Sequence, residues 1–533
     1  MCKRLAFLTF LLCAGMCSAS AADSGDMFQS LSWDTSSFAS WKREDGKKIL
    51  FVEIPPSEQL TNETRGITAE LDVNEYRGKN LLLSIEMKGE NIPAGENPSY
   101  CAKLMLCTRD SRGVSYVFTD RSLWGTFDWK KLTLPYIVPD DCKQLTLMVG
   151  IQCNHGKIQA RNLQIREEDP YPPPVPLPEN FRCRYTEEYR KLPRLRGFGS
   201  EPSESILQTA REWKCNVVRY WLPCGERDPN LPGLEKELLR LKRKLPEYRK
   251  ARLHVILTIP TPGGRYETPL ILGTAGTLAG NPESSQNFRL FNDDKWLSIF
   301  ISAWEKVARE LRDCPEIVGY DLMNEPSQVG KTKNDYLKVQ YLAAKAIRAI
   351  DPERPIIVSA NDWSKPSAFR YLKPLPFRNI VYQVHIYDPG EYTHQGVSWR
   401  DMEQIRKGKR ISYPGRINEV WFDKSVLRAV LEPVRKFQKK YGAEIFCGEF
   451  SVINWAPGAE QYLDDVCSLL EEFNWNWCYH GSADGWYGWN VECTFDVVSR
   501  RARIEETPRK KILLKYLRKN LDSSPGKGKR QMP

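Results

Sequence analysis

Two glutamates in this 533-residue chain stand where a carboxyl group is placed for proton chemistry. The first, Glu325, closes the run Ile317-Val318-Gly319-Tyr320-Asp321-Leu322-Met323-Asn324-Glu325-Pro326. A short apolar stretch of this kind suits a strand buried on both faces, and Pro326, which lacks an N–H, should stop it. The second, Glu449, closes Ala443-Glu444-Ile445-Phe446-Cys447-Gly448-Glu449-Phe450-Ser451 in the same manner. Both carboxylates then belong at the carboxyl ends of parallel strands, the edge where α/β barrels gather their reactive groups. Two carboxyls facing each other there are what hydrolysis of a glycosidic bond needs: one gives a proton, the other attacks or activates water.

The elements that must position them follow from the pattern around them. From Phe181, short apolar runs alternate with helical segments, the sign of βαβ units. The candidate strands are Leu195–Phe198, Asn216–Trp221, Leu253–Ile259, Ile317–Met323, Pro355–Ser359, Ile380–His385, Glu444–Cys447 and Asn474–Tyr479. Helices such as Trp296–Leu311 and Asp335–Ile350 carry apolar residues at three- and four-residue spacing between them. Eight such units over residues 181–520 predict a (β/α)8 TIM barrel, with long insertions at 260–292 and 387–419 over its active face. Upstream, residues 27–166 show short β-type runs instead: Asn80–Met87, Ala102–Cys107, Val114–Phe118, Lys131–Ile137, Gln144–Gln152 and Lys157–Ile165. Turn formers separate them, which predicts an all-β, jelly-roll-like sandwich. The segments Trp129–Leu134 and Ile158–Leu163 resemble closing strands of carbohydrate-binding modules, so the sandwich either binds sugar or braces the barrel. Between the two lies a linker over 167–180, where Asp169-Pro170-Tyr171-Pro172-Pro173-Pro174-Val175-Pro176-Leu177-Pro178 reads as a stiff, extended spacer.

Composition narrows the partners. The net charge is +11, but basic residues sit beside acidic ones, as in Glu235–Lys250, and form no nucleic-acid footprint. Residues 521–533 form a basic tail expected to be disordered. Lys3 and Arg4 precede an apolar run from Leu5 to Met16 and then Ala19-Ser20-Ala21, which reads as a signal peptide over residues 1–21 and predicts export. No later run is long enough to span a bilayer. Cleavage after Ala21 would remove Cys2, Cys13 and Cys17 and leave 12 of the 15 cysteines, an even number that permits disulfides without fixing their pairing. No cysteines cluster with histidine at metal-ligand spacing, so neither a metal nor a cofactor is expected. The 16 Trp and 23 Tyr serve a large core, sugar-stacking platforms, or both.

Residues from about 195 to 495 resemble glycoside hydrolase family 5, the cellulase-like retaining β-glycosidases. Gly319–Pro326 is similar to the family's acid/base strand and Phe446–Ser451 to its nucleophile strand. His385-Ile386-Tyr387 resembles the His-x-Tyr of the sixth strand, and Val218-Arg219 the arginine of the second. Tyr392-Thr393-His394-Gln395-Gly396 and Trp475–Glu492 resemble one branch of the family. The resemblance implies Glu325 as acid/base and Glu449 as nucleophile. It implies Arg219 holding Glu449 ionised, Asn324 on a sugar 2-hydroxyl, Tyr387 donating to Glu449, and His385 on the sugar or on the acid/base. Each of the four also has a structural alternative: a salt bridge, a loop amide, a rim packer, a core histidine. Trp477, Trp486 and Trp489 are candidate stacking platforms near the eighth strand, and His480 in the same block has no assigned role. One departure concerns specificity: the family often ends its third strand in histidine, whereas Val255-Ile256-Leu257 runs here into Thr258-Ile259-Pro260.

The expectation is an exported retaining glycosidase acting on a β-linked glucan or mannan by double displacement. The rival is a barrel that binds carbohydrate without cleaving it. A nucleic-acid or membrane-surface protein lacks the clustered charge it would need.

Overall fold

The computed structural model describes residues 25–521, apart from 45, 62, 95–99, 111–112, 120–122, 170, 224–230, 261–288, 327, 329–331, 398, 418–419, 482–487, 498 and 500. The signal segment, most of the basic tail, most of the 260–292 insertion and Trp486 therefore lie outside the described residues.

Eight parallel strands close into a barrel: β1 (Arg196–Ser200), β2 (Val217–Trp221), β3 (His254–Thr258), β4 (Ile317–Asp321), β5 (Ile356–Ser359), β6 (Ile380–Ile386), β7 (Glu444–Phe450) and β8 (Asn476–His480). β8 pairs back onto β1, with Arg196 opposite Trp477. The expected (β/α)8 architecture is the one observed. Helices such as Pro232–Lys250, Asp294–Leu311, Tyr336–Arg348, Lys424–Tyr441 and Ala459–Glu472 cover the sheet. The strands read as continuous apolar runs because both their faces are buried: one against helices, one inside the barrel. The inner layer is Val217, Ile256, Val318, Ile357, Val381, Phe446 and Cys478, joined by Tyr185 and Tyr189 from the segment that precedes β1.

Two register slips set what the barrel mouth displays. Val255 lies opposite Ile317 but Ile256 opposite Gly319; Val384 lies opposite Cys447 but His385 opposite Glu449. A bulge of this kind reverses the side-chain phase beyond it. Strict alternation from Phe446 would turn Glu449 outward into the helix layer; the slip at Gly448 turns it into the mouth instead. The slip beside Gly319 does the same for Asp321, while Tyr320 goes to the outer layer and donates to Asp351 Oδ2 at 3.0 Å.

The N-terminal region is a sandwich of two five-stranded antiparallel sheets. One runs in the order Asp34–Thr35, Thr64–Glu70, Gln144–Gln152, Ala102–Asp110, Gly113–Phe118; the other Ala39–Glu44, Lys47–Ile54, Gly156–Glu167, Asn80–Ile92, Gly125–Ile137. Leu50, Val52, Leu83, Ile85, Leu104, Leu106, Leu147 and Val149 meet between them in one core. The first two strands carry little of the pattern that revealed the others, Asp34–Thr35 being two exposed residues and Ala39–Glu44 exposed over most of its length, whereas Lys47–Ile54 is an apolar run that the sequence reading misses. The proline-rich stretch is pinned to the barrel. Tyr171 is buried between Tyr336 and Tyr371, with ring centroids 5.4 and 5.7 Å away, and Asp169 pairs with Lys373 at 2.8 Å.

Candidate active site

At the carboxyl ends of the strands, one arginine organises the site. Arg219 on β2 is fully buried; its Nη1 donates to Glu449 Oε1 at 2.7 Å, its Nε to Asp321 Oδ2 at 2.8 Å and its Nη2 to Asn324 Oδ1 at 2.7 Å. Nη2 also reaches Thr258 Oγ1 at 3.4 Å. A guanidinium in low dielectric binds carboxylates strongly, but one cation does not neutralise two buried anions. The pair splits accordingly. Burial pushes Asp321 up to about 6 in spite of the guanidinium, with the Glu449 charge adding to the rise. Burial presses on Glu449 as well, but the positive side of the site, made by His385, His480 and Arg219, outweighs it and holds this carboxyl below its ordinary value. Burial also brings His385 down to about 3, so near neutral pH its ring is neutral while the Arg219 guanidinium keeps its charge beside Glu449.

Glu325 lies four residues past the end of β4, further along than a strand-end placement implies. The chain leaves the ladder there because its carbonyls are taken by side chains of the next unit: Ser359 Oγ donates to the carbonyls of Met323 and Asn324, and Ser364 Oγ to that of Asn324 at 3.1 Å. Gln383 on β6 ties this corner together, donating from Nε2 to Ser359 Oγ at 2.7 Å and Asp321 Oδ1 at 3.1 Å. The same loop holds Asp362, Trp363 and Ser364 at φ of 49°, 63° and 57°, and the Trp363 N–H donates to Pro326 O at 3.0 Å. Three consecutive non-glycine residues in the left-handed region cost about 1–2 kcal/mol each, which the cross-loop bonds must offset.

His385 joins the two glutamates: its Nδ1 lies 2.7 Å from Glu325 Oε1 and 3.8 Å from Glu449 Oε2. Tyr387 donates from Oη to Glu449 Oε2 at 3.0 Å. Ligand atoms of Glu325, His385 and Glu449 lie within 4.8 Å of one another, a spacing that would also suit a divalent cation. Such a separation of the two carboxyls matches the ~5–5.5 Å of retaining glycosidases, not the wider gap that leaves room for an attacking water.

The remaining candidates divide. Asn324 has its Oδ1 committed to Arg219, so the donor end of its amide is what it offers to a substrate. Trp489 packs at the mouth, 5.6 Å from Tyr387 and 5.1 Å from His394. Trp477 is not a platform: it is fully buried, its Nε1 donates to Glu471 Oε1 at 3.1 Å, and its ring meets the edge of Phe450 in the helix layer. Its neighbours Cys478 and His480 take the alternate phase and face inward, and His480 Nδ1 comes within 3.7 Å of Glu449 Oε2. Sequence reasoning passed over Asp321, Gln383 and Trp221. The available signal was a carboxylate and an amide inside otherwise apolar strand runs, each in phase with a named residue on its own strand or loop. Nine described cysteines, Cys107, Cys142, Cys153, Cys183, Cys215, Cys314, Cys447, Cys467 and Cys478, are free thiols.

A (β/α)8 barrel with two carboxyls across its mouth, one of them clamped by a buried arginine, belongs to the class of glycoside hydrolases. A family model described as cellulase, glycosyl hydrolase family 5, matches residues 185–490. Endoglucanase C of Acetivibrio thermocellus is 27% identical over 305 residues, covering 52% of this chain and 83% of the relative. Cellodextrinase A of Ruminococcus flavefaciens is 26% identical over 200 residues, covering 37% and 52%. The crystal structure of endoglucanase Cel5A from Thermotoga maritima superposes with a TM-score of 0.45 at 20% identity, over 62% of this chain and 98% of that one. The chain belongs to the cellulase family, glycosyl hydrolase family 5, and is a glycosidase.

Proposed function

We propose that this glycosidase cuts a β-linked glucan at internal bonds by double displacement, with Glu449 as nucleophile and Glu325 as acid/base. The observation that carries the mechanism is the contrast between the two carboxyls: Glu449 sits on a buried guanidinium that keeps it ionised, while Glu325 faces it across His385 on a more open loop. In the first step a Glu449 oxygen attacks the anomeric carbon as Glu325 gives its proton to the departing glycosidic oxygen, leaving a glycosyl ester on Glu449. In the second, Glu325, now a carboxylate, takes a proton from water. The water oxygen displaces Glu449, and one water is consumed per bond. Arg219 and the Tyr387 hydroxyl stabilise the Glu449 carboxylate as it leaves; Asn324 donates to the 2-hydroxyl, an interaction that strengthens as the ring flattens. Neutral His385 keeps the Glu325 carboxyl oriented.

Internal cleavage of glucan is supported by the endoglucanase relatives. Export through the N-terminal Lys3-Arg4 and apolar run fits a polymeric substrate met outside the cell. The test is a panel of β-glucans and mannans followed by reducing-sugar release and by NMR of the first product formed. The expected result is a β-anomeric product on a glucan. Glu325→Ala should lower kcat by about 10²–10⁴-fold, Glu449→Gln should lose it more completely, and azide should restore turnover in Glu325→Ala as the β-glycosyl azide. An α-anomer as first product, or normal turnover by Glu449→Gln, would overturn the assignment.

A further inference from the structure

Beside Glu449, on the arc of the mouth made by β8, β1 and β2, two ring nitrogens are buried with no hydrogen bond to any described residue: His480 Nδ1 and Trp221 Nε1. They come from strands on either side of β1, and their rings stack, with centroids 5.2 Å apart and planes inclined by 18°. Gly199 on β1 lies beneath the indole, where a Cβ would stand in van der Waals contact, 3.7 Å from Trp221 Nε1. A buried donor left without a partner is destabilising, by about 1–3 kcal/mol, so a folded site that holds two of them side by side is built for a group that arrives with the substrate.

We propose that His480 and Trp221 form a hydroxyl-reading subsite for the pyranose unit whose anomeric carbon Glu449 attacks, which makes them specificity-determining residues; this rests on the glycosidase reading above. The chemistry of the two nitrogens defines the ligand. An indole N–H only donates, so Trp221 requires an acceptor oxygen. His480 Nδ1 stands 3.7 Å from Glu449 Oε2. One hydroxyl lying off the line between them can donate to the carboxylate and accept from the imidazole. Glu449 already receives Arg219 on one oxygen and Tyr387 on the other, so this hydroxyl would be a further donor to a group that must remain an anion until it attacks. The stack keeps both nitrogens at a fixed separation, so the pair reads oxygen positions on a rigid ring. Two adjacent ring hydroxyls of a glucan unit supply what is needed; a ring lacking one of them leaves a buried nitrogen unpaired.

The test takes the full chain with whichever aryl β-glycoside it hydrolyses, and the monodeoxy series of that glycoside. Trp221→Phe removes only the N–H and keeps the stack. His480→Phe keeps a ring but no nitrogen, and His480→Asn returns a polar atom near the Nδ1 position. Each phenylalanine variant should lose about tenfold in kcat/KM on the parent glycoside, with a thermal midpoint raised by removal of the unpaired nitrogen, and His480→Asn should recover part of the loss. Wild type should lose a similar factor on one or two deoxy positions, and the matching variant should show no further loss there. Equal kcat/KM for wild type and both phenylalanine variants would overturn the subsite, as would a penalty spread evenly over the deoxy series. If wild type hydrolyses no β-glycoside, the enzymatic reading itself falls and takes this inference with it.

Discussion

At the scale of single residues, the site turns on how one buried cation is shared. Arg219 serves Glu449, Asp321 and Asn324 together, and burial still lifts one of its partners, Asp321, to about 6 against the pull of the guanidinium. Its ordinary value is 3.8, so between these two pH values the folded chain binds a proton that the unfolded chain has already released. The stability this proton brings is complete below the ordinary value and is lost as pH rises through about 6. Asp321→Asn, which cannot ionise, should remove that slope. Thermal midpoints of the two proteins measured from pH 4 to pH 7 should diverge, wild type falling relative to the variant; a constant difference would show that Asp321 is ionised throughout. Tyr387 and His385 contribute no charge in this range, since burial lifts the phenol well above its ordinary value and brings the imidazole down to about 3.

At the scale of elements, the barrel strands were legible because a parallel strand buried on both faces must be an apolar run, and each run in the C-terminal half became a strand. Phase was not legible. Asn476-Trp477-Cys478-Tyr479-His480 has no polar and apolar alternation, so nothing in it tells which residues face the mouth, and Trp477 was credited with a place that Cys478 and His480 occupy. Phase in β7 depends on a slip against β6, which neither strand encodes alone. The glutamates themselves were found because their motifs sit together, whereas Asp321 and Gln383 looked like interruptions of a core. Gly448 is where the slip meets the chemistry. A Cβ at this residue would lie 1.9 Å from Gln383 Oε1 and 3.1 Å from His385 Nε2. Gly448→Ala should therefore push aside the amide that holds Asp321 and Ser359. Overpacking of this sort costs about 1–3 kcal/mol in stability, but the larger effect should be on kcat, because Glu449 and His385 both move. We expect the variant to fold, to lose about 10²-fold in kcat, and to bind product as wild type does. An unchanged kcat would mean that the strand absorbs the methyl without moving Glu449.

At the scale of the whole molecule, the two domains behave as neighbours with a fixed seam. The Ile137 N–H of the sandwich donates to Tyr371 Oη of the barrel at 2.8 Å. Beside that bond the chain leaving the sandwich inserts Tyr171 edge-on between Tyr336 and Tyr371, both contacts inclined at 84°. The proline-rich stretch thus starts as an anchor and not as a free tether. Sugar stacking on the sandwich face that carries Phe51 and Trp129 would have to displace Lys42 and Arg161, which lie 4.2 and 4.0 Å over those rings. Bracing is the role the contacts favour, and Tyr171 is where to test it. Removing a buried aromatic side chain costs about 3–5 kcal/mol, and here the lost contacts are those that tie the linker to the barrel. Wild type should unfold in a single calorimetric transition because sandwich and barrel share this seam. Tyr171→Ala should separate it into two, the sandwich transition keeping its own midpoint while the barrel transition falls. A single transition in the variant, displaced downward as a whole, would place the coupling in the Ile137–Tyr371 bond and its surroundings instead. An undisplaced one would mean that the domains unfold together for reasons the seam does not supply.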